Sequence, residues 1–134
     1  MKRNILNKKI LEIFTKHGLN KNHSKICTAA LINAELVGAY GHGLSRLRMY
    51  CERIKKKLIN PKPKIKIKKI SQSISHIDAD NSIGFVSADL AIKTAIKHAQ
   101  KTGIGMVAVK KSGHYGLSGY YAEQAVKKNL ITMI

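Results

Sequence analysis

Three residues with complementary chemistry recur at four-residue intervals in the first half of the chain: His42, Arg46 and Tyr50. The apolar residues around them have helical spacing, and residues four apart lie on one side of a helix. An imidazole exchanges protons near neutral pH, a guanidinium grips a carboxylate, and a phenol forms hydrogen bonds. The group therefore predicts a site for a small acid bearing a carbonyl or hydroxyl. The alternative is an exposed polar helix face.

Arginine is concentrated at the same place. The chain has 25 lysines and arginines, of which only Arg3, Arg46, Arg48 and Arg53 are arginine. Three of these four fall within residues 46–53. Arginine offers a rigid fork of donors, whereas lysine is a mobile point charge. The clustering therefore indicates a local need for guanidinium geometry.

The net charge of +18 suggests nucleic acid or an anionic membrane as partner, but the distribution of the charge argues against both. Lysines are scattered, and the densest run, residues 62–69, alternates with Ile65 and Ile67 as in a strand with one solvated face. Edge strands often carry lysine. No basic stretch is interleaved with aromatic residues, as single-strand nucleic-acid surfaces are. A nucleic-acid-binding module is therefore the less favoured alternative, and no membrane partner is expected.

The length of the chain, its N-terminal residues and its cysteines indicate what kind of protein to expect. A chain of 134 residues is one domain in length. Residues 1–17 lack both an uninterrupted hydrophobic run and a small-residue cleavage site. Cys27 and Cys51 lie in apolar helical patterns without further ligands at zinc spacing. We therefore predict reduced, buried thiols and a cytoplasmic protein.

Apolar periodicity predicts a helical segment over residues 1–60. Three helices are predicted in it, over residues 6–18, 24–38 and 44–58. Asn22 or Ser24 is suited to cap the second. Residues 40–43 form a turn before the third, where N–H groups and the helix dipole favour an anion beside His42.

Residues 61–134 are predicted as an α/β segment, which gives the chain a mixed α/β fold class. The elements expected are a strand through Ile70, a strand over 74–77, a turn and helix-cap cluster over 78–82, a helix over 84–101 stopped by Gly103, a buried strand over 106–109, a helix carrying Ala122, Ala125 and Val126, and an apolar strand-like run over 130–134. A buried strand seldom ends a domain, so the chain is expected to be the front part of a longer protein.

The loop over residues 112–116 is a second candidate site. It lies between a predicted strand and a helix, where α/β proteins gather ligands, and its glycines allow close approach of a cofactor. His114 is a candidate general acid/base or a loop histidine with local hydrogen bonds. No Gly-x-Gly-x-x-Gly or phosphate-loop motif is present. The remaining histidines are interpreted as surface residues: His17, His23, His76 and His98.

Seven short motifs follow one another along nearly the whole chain. They are Ala34-Glu-Leu-Val-Gly, Gly41-His-Gly-Leu-Ser-Arg-Leu with Tyr50, Arg53-Ile, Ile59-Asn-Pro-Lys-Pro, Ile77-Asp-Ala-Asp-Asn with Gly84, Gly103-Ile-Gly with Val107, and Ser112-Gly-His-Tyr-Gly with Gly119-Tyr-Tyr-Ala-Glu. In this order they resemble the malate/L-lactate dehydrogenase family of NAD(P)-dependent 2-oxoacid reductases, which is distinct from the Rossmann-type dehydrogenases.

The resemblance implies hydride transfer between NAD or NADP and a small 2-hydroxy or 2-oxo acid, in a homodimer with a non-Rossmann cofactor fold. By motif match, His42 corresponds to the proton donor to the substrate carbonyl. Arg46 corresponds to the arginine facing the substrate carboxylate, with Tyr50 as a second substrate-binding candidate. In some members the histidine matching His114 is the acid/base. The cofactor-binding candidates are His114, Tyr115, Gly116, Leu117 and Ser118.

Two departures from the family pattern define the alternatives. Gly41 stands where the family usually has serine, which removes a hydroxyl that could orient the imidazole of His42. The family's downstream segments, which supply most cofactor contacts and an active-site aspartate, are absent from these 134 residues. The chain is thus either the N-terminal part of a dehydrogenase or a truncated, non-catalytic remnant of one. The 134 residues alone are expected to bind cofactor weakly or not at all, to show no turnover, and to self-associate or be poorly soluble.

Overall fold

The chain has the mixed α/β fold that the sequence predicts. The computed structural model describes residues 3–134. Within them the helices and strands are α1 (Arg3–Lys16), α2 (Lys21–Leu36), α3 (Leu47–Lys55), β1 (Lys66–Lys69), β2 (Ile74–Ser82), α4 (Gly84–Thr102), β3 (Met106–Ser112) and α5 (Ser118–Val126). Two 3₁₀ turns, Tyr40–His42 and Leu44–Arg46, lie between α2 and α3.

The strands form one sheet in the order β1-β2-β3. β1 runs antiparallel to β2, and β2 runs parallel to β3 with Ile77 opposite Val109. A parallel pair needs a crossover, which α4 supplies. Ser71 shapes the turn between β1 and β2, because its hydroxyl accepts the N–H groups of Ser73 and Ile74 at 3.2 and 3.1 Å.

Two hydrophobic clusters attach the rest of the chain to α4. The larger one includes Ile10, Phe14, Leu31, Tyr50, Ile54, Ile83 and Phe85. Within it the rings of Tyr50 and Phe85 pack with their centroids 4.8 Å apart. The smaller one joins Ile92 of α4 to Tyr121 and Ala125 of α5. Burying each large apolar side chain contributes roughly 1.5–3 kcal/mol. The division of the chain at residue 60 stays a prediction.

The helix predicted over residues 84–101 is confirmed. α4 begins at Gly84, and Gly103 ends it with φ of +81° in the left-handed region. Glycine adopts that conformation without strain, which is why it commonly terminates helices.

The helix predicted over residues 44–58 is shorter than expected. Its regular part, α3, covers nine residues, and Gly43 interrupts the chain before it with φ of −95° and ψ of −137°. That conformation is not helical, so His42 and Arg46 lie in two separate 3₁₀ turns instead of on one helix face with Tyr50. The prediction of a common helix face was therefore wrong.

The second helix begins earlier than predicted. Asn20, and not Asn22 or Ser24, caps α2 by accepting the His23 N–H at 2.8 Å. Ser24 is fully buried, and its hydroxyl is paired with that of Thr15 of α1 at 3.2 Å. The serine thus contributes to helix packing and not to the cap.

The residues predicted as a turn over 78–82 belong to β2. Asp80 and Asn81 have φ of 50° and 55°, and the pairing with β3 is irregular between Asp78 and Ser82. Asparagine and aspartate tolerate this conformation. The turn-forming residues therefore bend the strand and do not end it.

Two apolar segments predicted as buried strands are exposed. The strand over 106–109 forms but is mostly exposed, because it lies at an edge of the sheet in the described part of the chain. Residues 130–134 form no strand, and Ile131 and Met133 are fully exposed. Val126 is also exposed, at 61 %.

The prediction of surface histidines was only partly correct. Only His76 of the four is fully exposed, while His17, His23 and His98 are half-buried. His98 forms a hydrogen bond with the buried Ser75 hydroxyl at 2.8 Å, which joins α4 to β2.

The prediction for the cysteines is confirmed. Cys27 and Cys51 are buried and free. Burial raises the pKa of both thiols. None of the helices described is both long enough and apolar enough to cross a bilayer.

Candidate active site

The two 3₁₀ turns before α3 bring His42 and Arg46 to the surface. The Glu35 carboxylate accepts the Leu44 N–H at 2.7 Å and so ties the link between the turns to α2. A Cβ at Gly43 would overlap this carboxylate. Glycine at this position therefore permits the contact that fixes both turns.

Arg46 is held by one edge of its guanidinium. Its Nε donates to the Gly41 carbonyl at 2.8 Å, and the side chain is exposed. Within residues 3–134 the two terminal NH₂ groups have no protein partner. They remain free to pair with the two oxygens of a carboxylate.

The start of α4 supports the loop that follows β3. Gly84 lies so close to the carbonyls of Gly113 and His114 that a Cβ there would overlap both. The Ser87 and Ser112 hydroxyls form a hydrogen bond of 2.6 Å. The backbone of the loop thus rests directly on the helix, which fixes the position of His114.

The second half of the loop is fixed from α5. Gly116 turns the chain with φ of +82° against the ring of Phe85. The Tyr115 carbonyl accepts the hydroxyl of the buried Tyr121 at 2.8 Å, and the Tyr115 hydroxyl lies 3.2 Å from that of Ser118. Of the residues predicted to contact a cofactor, those over 114–117 therefore lie in a loop held by several contacts, and Ser118 is the first residue of α5.

Three of the predicted site residues come together. The Tyr50 hydroxyl lies 2.7 Å from Nδ1 of His114. The rings of His42 and His114 are stacked, with centroids 5.9 Å apart and planes 18° apart. Residues separated by 72 positions thus form one cluster, and the tertiary fold, not a shared helix face, brings them together. That Tyr50 binds substrate stays a prediction.

The cluster disfavours positive charge on His114. Partial burial lowers the pKa of its imidazole, and the electrostatic effects of His42, Arg46 and Arg53 lower it further. Burial raises the pKa of Tyr50, which outweighs the opposite effects of the two arginines. The phenol therefore keeps its proton, and neutral His114 is favoured.

Two residues of the site were not selected from the sequence. Arg53 acts electrostatically on both Tyr50 and His114. Its place in the arginine cluster and its position three residues after Tyr50 were the available signals. The only signal for Glu35 was its place in the motif Ala34-Glu-Leu-Val-Gly, since its role depends on a contact between α2 and a turn nine residues later.

A metal centre is not formed by the described residues, since no group of three histidine, cysteine, aspartate or glutamate side chains converges there. A surface cavity near α1 and α2, lined by residues such as Asn7, Lys25 and Ile32, contains none of the predicted site residues.

The chain belongs to the malate/L-lactate dehydrogenase family, whose family description matches residues 1–134. This confirms the resemblance found in the seven motifs.

The chain is also similar to individual curated dehydrogenases. The chain is 37 % identical over 124 residues to L-sulfolactate dehydrogenase of Methanocaldococcus jannaschii, covering 92 % of this chain and 36 % of that protein. It is 41 % identical over 122 residues to malate dehydrogenase of Pyrococcus abyssi, covering 91 % and 34 %. The chain thus spans about a third of the length of these curated relatives.

The fold is shared with solved structures. The structure of malate dehydrogenase from Pyrococcus horikoshii OT3 matches with a TM-score of 0.89 and 37 % identity, over 92 % of this chain and 35 % of that one. Sulfolactate dehydrogenase from Methanocaldococcus jannaschii matches with a TM-score of 0.90 and 36 % identity, over 92 % and 36 %.

Proposed function

We propose that this chain supplies the substrate end of an NAD(P)-dependent oxidoreductase, which transfers a hydride between a nicotinamide and a small 2-hydroxy or 2-oxo acid. The observation that carries the proposal is the stacked pair His42 and His114, which lies within electrostatic reach of Arg46. Such a substrate requires two things of the protein. Its carbonyl or hydroxyl oxygen must exchange a proton, and its carboxylate must be paired with a positive charge.

The residues divide these tasks by their chemistry. When bound, a nicotinamide supplies or accepts the hydride. The free NH₂ groups of Arg46 hold the substrate carboxylate and thereby orient the neighbouring carbon. His42 or His114 exchanges the proton at the substrate oxygen. Both histidines are exposed, which allows a substrate to reach them.

The loop fits one side of a cofactor. α5 begins at Ser118, and its N-cap Leu117 makes no side-chain capping bond. The Tyr120 N–H donates to the Leu117 carbonyl at 3.2 Å, and the N–H groups of Ser118 and Gly119 remain available. Such groups and the helix dipole favour an anion, as in a dinucleotide. We therefore assign His114, Tyr115, Gly116, Leu117 and Ser118 to the cofactor. Family segments downstream of this region would complete the site.

The substrate class follows from the relatives' names, which are malate, sulfolactate and ureidoglycolate dehydrogenases. Each names a small acid with a hydroxyl group. We assign the same class here, with NAD or NADP as cofactor. A homodimer in the cytoplasm is part of the same proposal.

A chimera tests this function. Residues 1–134 replace the matching N-terminal third of the Pyrococcus abyssi malate dehydrogenase, and malate oxidation is followed by the absorbance of the reduced nicotinamide. We expect turnover with the chimera and none with residues 1–134 alone. His42→Ala in the chimera shows whether turnover depends on this segment. A folded chimera without activity, with folding verified by circular dichroism, contradicts the proposal.

A further inference from the structure

We propose that Tyr50 is a positioning residue that holds His114 as the neutral tautomer with its proton on Nε2. His114 then serves as a hydrogen-bond donor to the substrate oxygen, and His42 exchanges the proton. This inference deepens the proposed function, on which its statement about the substrate rests.

The first argument concerns the hydrogen bonds at Nδ1 of His114. The Gly116 N–H donates to this nitrogen at 3.3 Å. A backbone N–H is a donor only, so Nδ1 must offer a lone pair. A neutral imidazole with an unprotonated Nδ1 carries its single proton on Nε2.

The second argument concerns the direction of the hydrogen bond from Tyr50. Its oxygen lies 2.7 Å from the same Nδ1, a short distance at which one of the two groups must donate. Since Nδ1 already accepts from Gly116, the phenol is the donor. Tyr50 is 1 % exposed, and burial raises its phenol pKa, so the proton needed for this bond is retained.

The third argument concerns charge. An imidazolium carries protons on both nitrogens, so protonation of His114 would break the bond from the Gly116 N–H and would force the Tyr50 hydroxyl to accept instead of donate. It would also place a cation beside His42, Arg46 and Arg53, whose charges lower the pKa of His114. Hydrogen bonding and electrostatics therefore favour the same state of the ring.

A division of labour between the two histidines follows. In the Nε2–H state, His114 has one hydrogen to donate, and it does not need to lose it during the reaction. A neutral imidazole can polarise a carbonyl in this way. The net proton of the 2-oxo acid reduction then passes through His42, from its imidazolium to the new hydroxyl oxygen.

Nuclear magnetic resonance of the histidine side chains tests the state of the ring. The chain is labelled with ¹⁵N-histidine, and long-range ¹H–¹⁵N spectra distinguish protonated from unprotonated ring nitrogens. The spectrum lost in His114→Gln identifies His114. We expect an unprotonated Nδ1 and a protonated Nε2. A protonated Nδ1 in the wild-type chain overturns the inference.

Two matched variants test the part played by Tyr50. Tyr50→Phe keeps the ring packed on Phe85 and removes only the hydroxyl. We expect the ratio of the Nδ1–H to the Nε2–H form of His114 to rise about fivefold, as loss of one ordinary hydrogen bond produces. Tyr120→Phe removes a half-buried hydroxyl of α5 that, among the described residues, makes no hydrogen bond to the loop, and it should leave the ratio unchanged. A ratio in Tyr50→Phe equal to that of the wild type overturns the role of Tyr50.

These measurements need neither cofactor nor substrate, so the two proposals fail separately. An inactive chimera overturns the proposed function, whatever the ring state. A protonated Nδ1 in an active chimera overturns only the inference about Tyr50. In an active chimera Tyr50→Phe should lower kcat more than it changes the KM for the cofactor, whereas an equal effect on both would contradict a positioning role.

Discussion

At the scale of single residues, the site contains one guanidinium and two imidazoles. The guanidinium is hydrogen-bonded on one side only, and the two imidazoles have different surroundings. Arg46 uses Nε to hold itself on Gly41 and leaves its outer edge free. His114 is bonded through Nδ1 to Tyr50, whereas His42 meets the cluster through stacking. The same side-chain type can therefore take two roles, because the hydrogen bonds around each ring differ.

The first prediction concerns Arg46. In the chimera, Arg46→Lys should raise the KM for the acid and lower kcat/KM. The decrease in kcat/KM should correspond to a loss of about 1.5–3 kcal/mol of transition-state stabilisation, since lysine cannot reproduce a two-pronged contact with a carboxylate. Arg48→Lys is the matched control, because Arg48 pairs with Glu52 on the exposed face of α3. Unchanged steady-state kinetics in Arg46→Lys would exclude this residue as the carboxylate ligand.

The second prediction separates the histidines. His42→Ala should lower kcat of the chimera by about 10²–10⁴, the usual contribution of a general acid. His114→Ala should have the smaller effect on kcat, because a neutral donor aids the reaction without exchanging the proton. Steady-state rates of both variants decide the matter, and the reverse order would assign the proton exchange to His114.

At the scale of elements, the start of α4 determines where the loop lies. Gly84 touches the carbonyls of Gly113 and His114, so the helix and the loop approach more closely than any residue with a Cβ would allow. The position of the loop therefore depends on a contact between the backbone of α4 and the backbone of the loop. Changing one side chain of the loop leaves this contact in place.

The third prediction follows from this contact. Gly84→Ala should lower the free energy of unfolding by about 1–3 kcal/mol, as overpacking in a tight site does. Gly41→Ala should change it by less than about 0.5 kcal/mol, since nothing lies within 4 Å of a Cβ there. Urea unfolding of both variants gives the comparison. Equal stabilities would show that the loop moves away without cost.

Sequence patterns predicted α4 well because its period, its inward residues and Gly103 all agree. They failed at residues 44–46, which were predicted to begin the third helix but form a 3₁₀ turn after Gly43, whereas the turn predicted over residues 40–43 is present. The identity of His42, Arg46 and His114 as candidates came from residue types and motifs. The meeting of His42 with His114 depends on packing across the whole core and has no local signature.

At the scale of the whole molecule, charge and apolar exposure act in opposite directions. The net charge of +18 keeps copies apart. Exposed apolar side chains at Ile104, Met106, Ile131 and Met133, each more than half exposed, favour association. Salt screens the first effect and leaves the second.

The fourth prediction is that residues 1–134 self-associate, and more so as salt increases. Sedimentation velocity at low and high salt measures this. Replacing Ile131 and Met133 together by serine should shift the distribution towards the monomer. Leu58→Ser removes a comparable exposed residue from the other part of the chain and should not. A wild-type monomer at high salt and high concentration would contradict the prediction.

The two buried thiols can report on local and global opening of the structure, because each reacts only when it becomes accessible. Cys27 is fully enclosed in the core, whereas Cys51 in α3 retains 9 % of its surface. A neutral alkylating reagent should therefore label Cys51 during small local movements and Cys27 only when the core separates. Mass spectrometry of the two labelled peptides over time should give two well-separated rates. The ratio of the two rates measures how far α3, which carries Tyr50, opens independently of the core. Equal rates would mean that the site and the core open together.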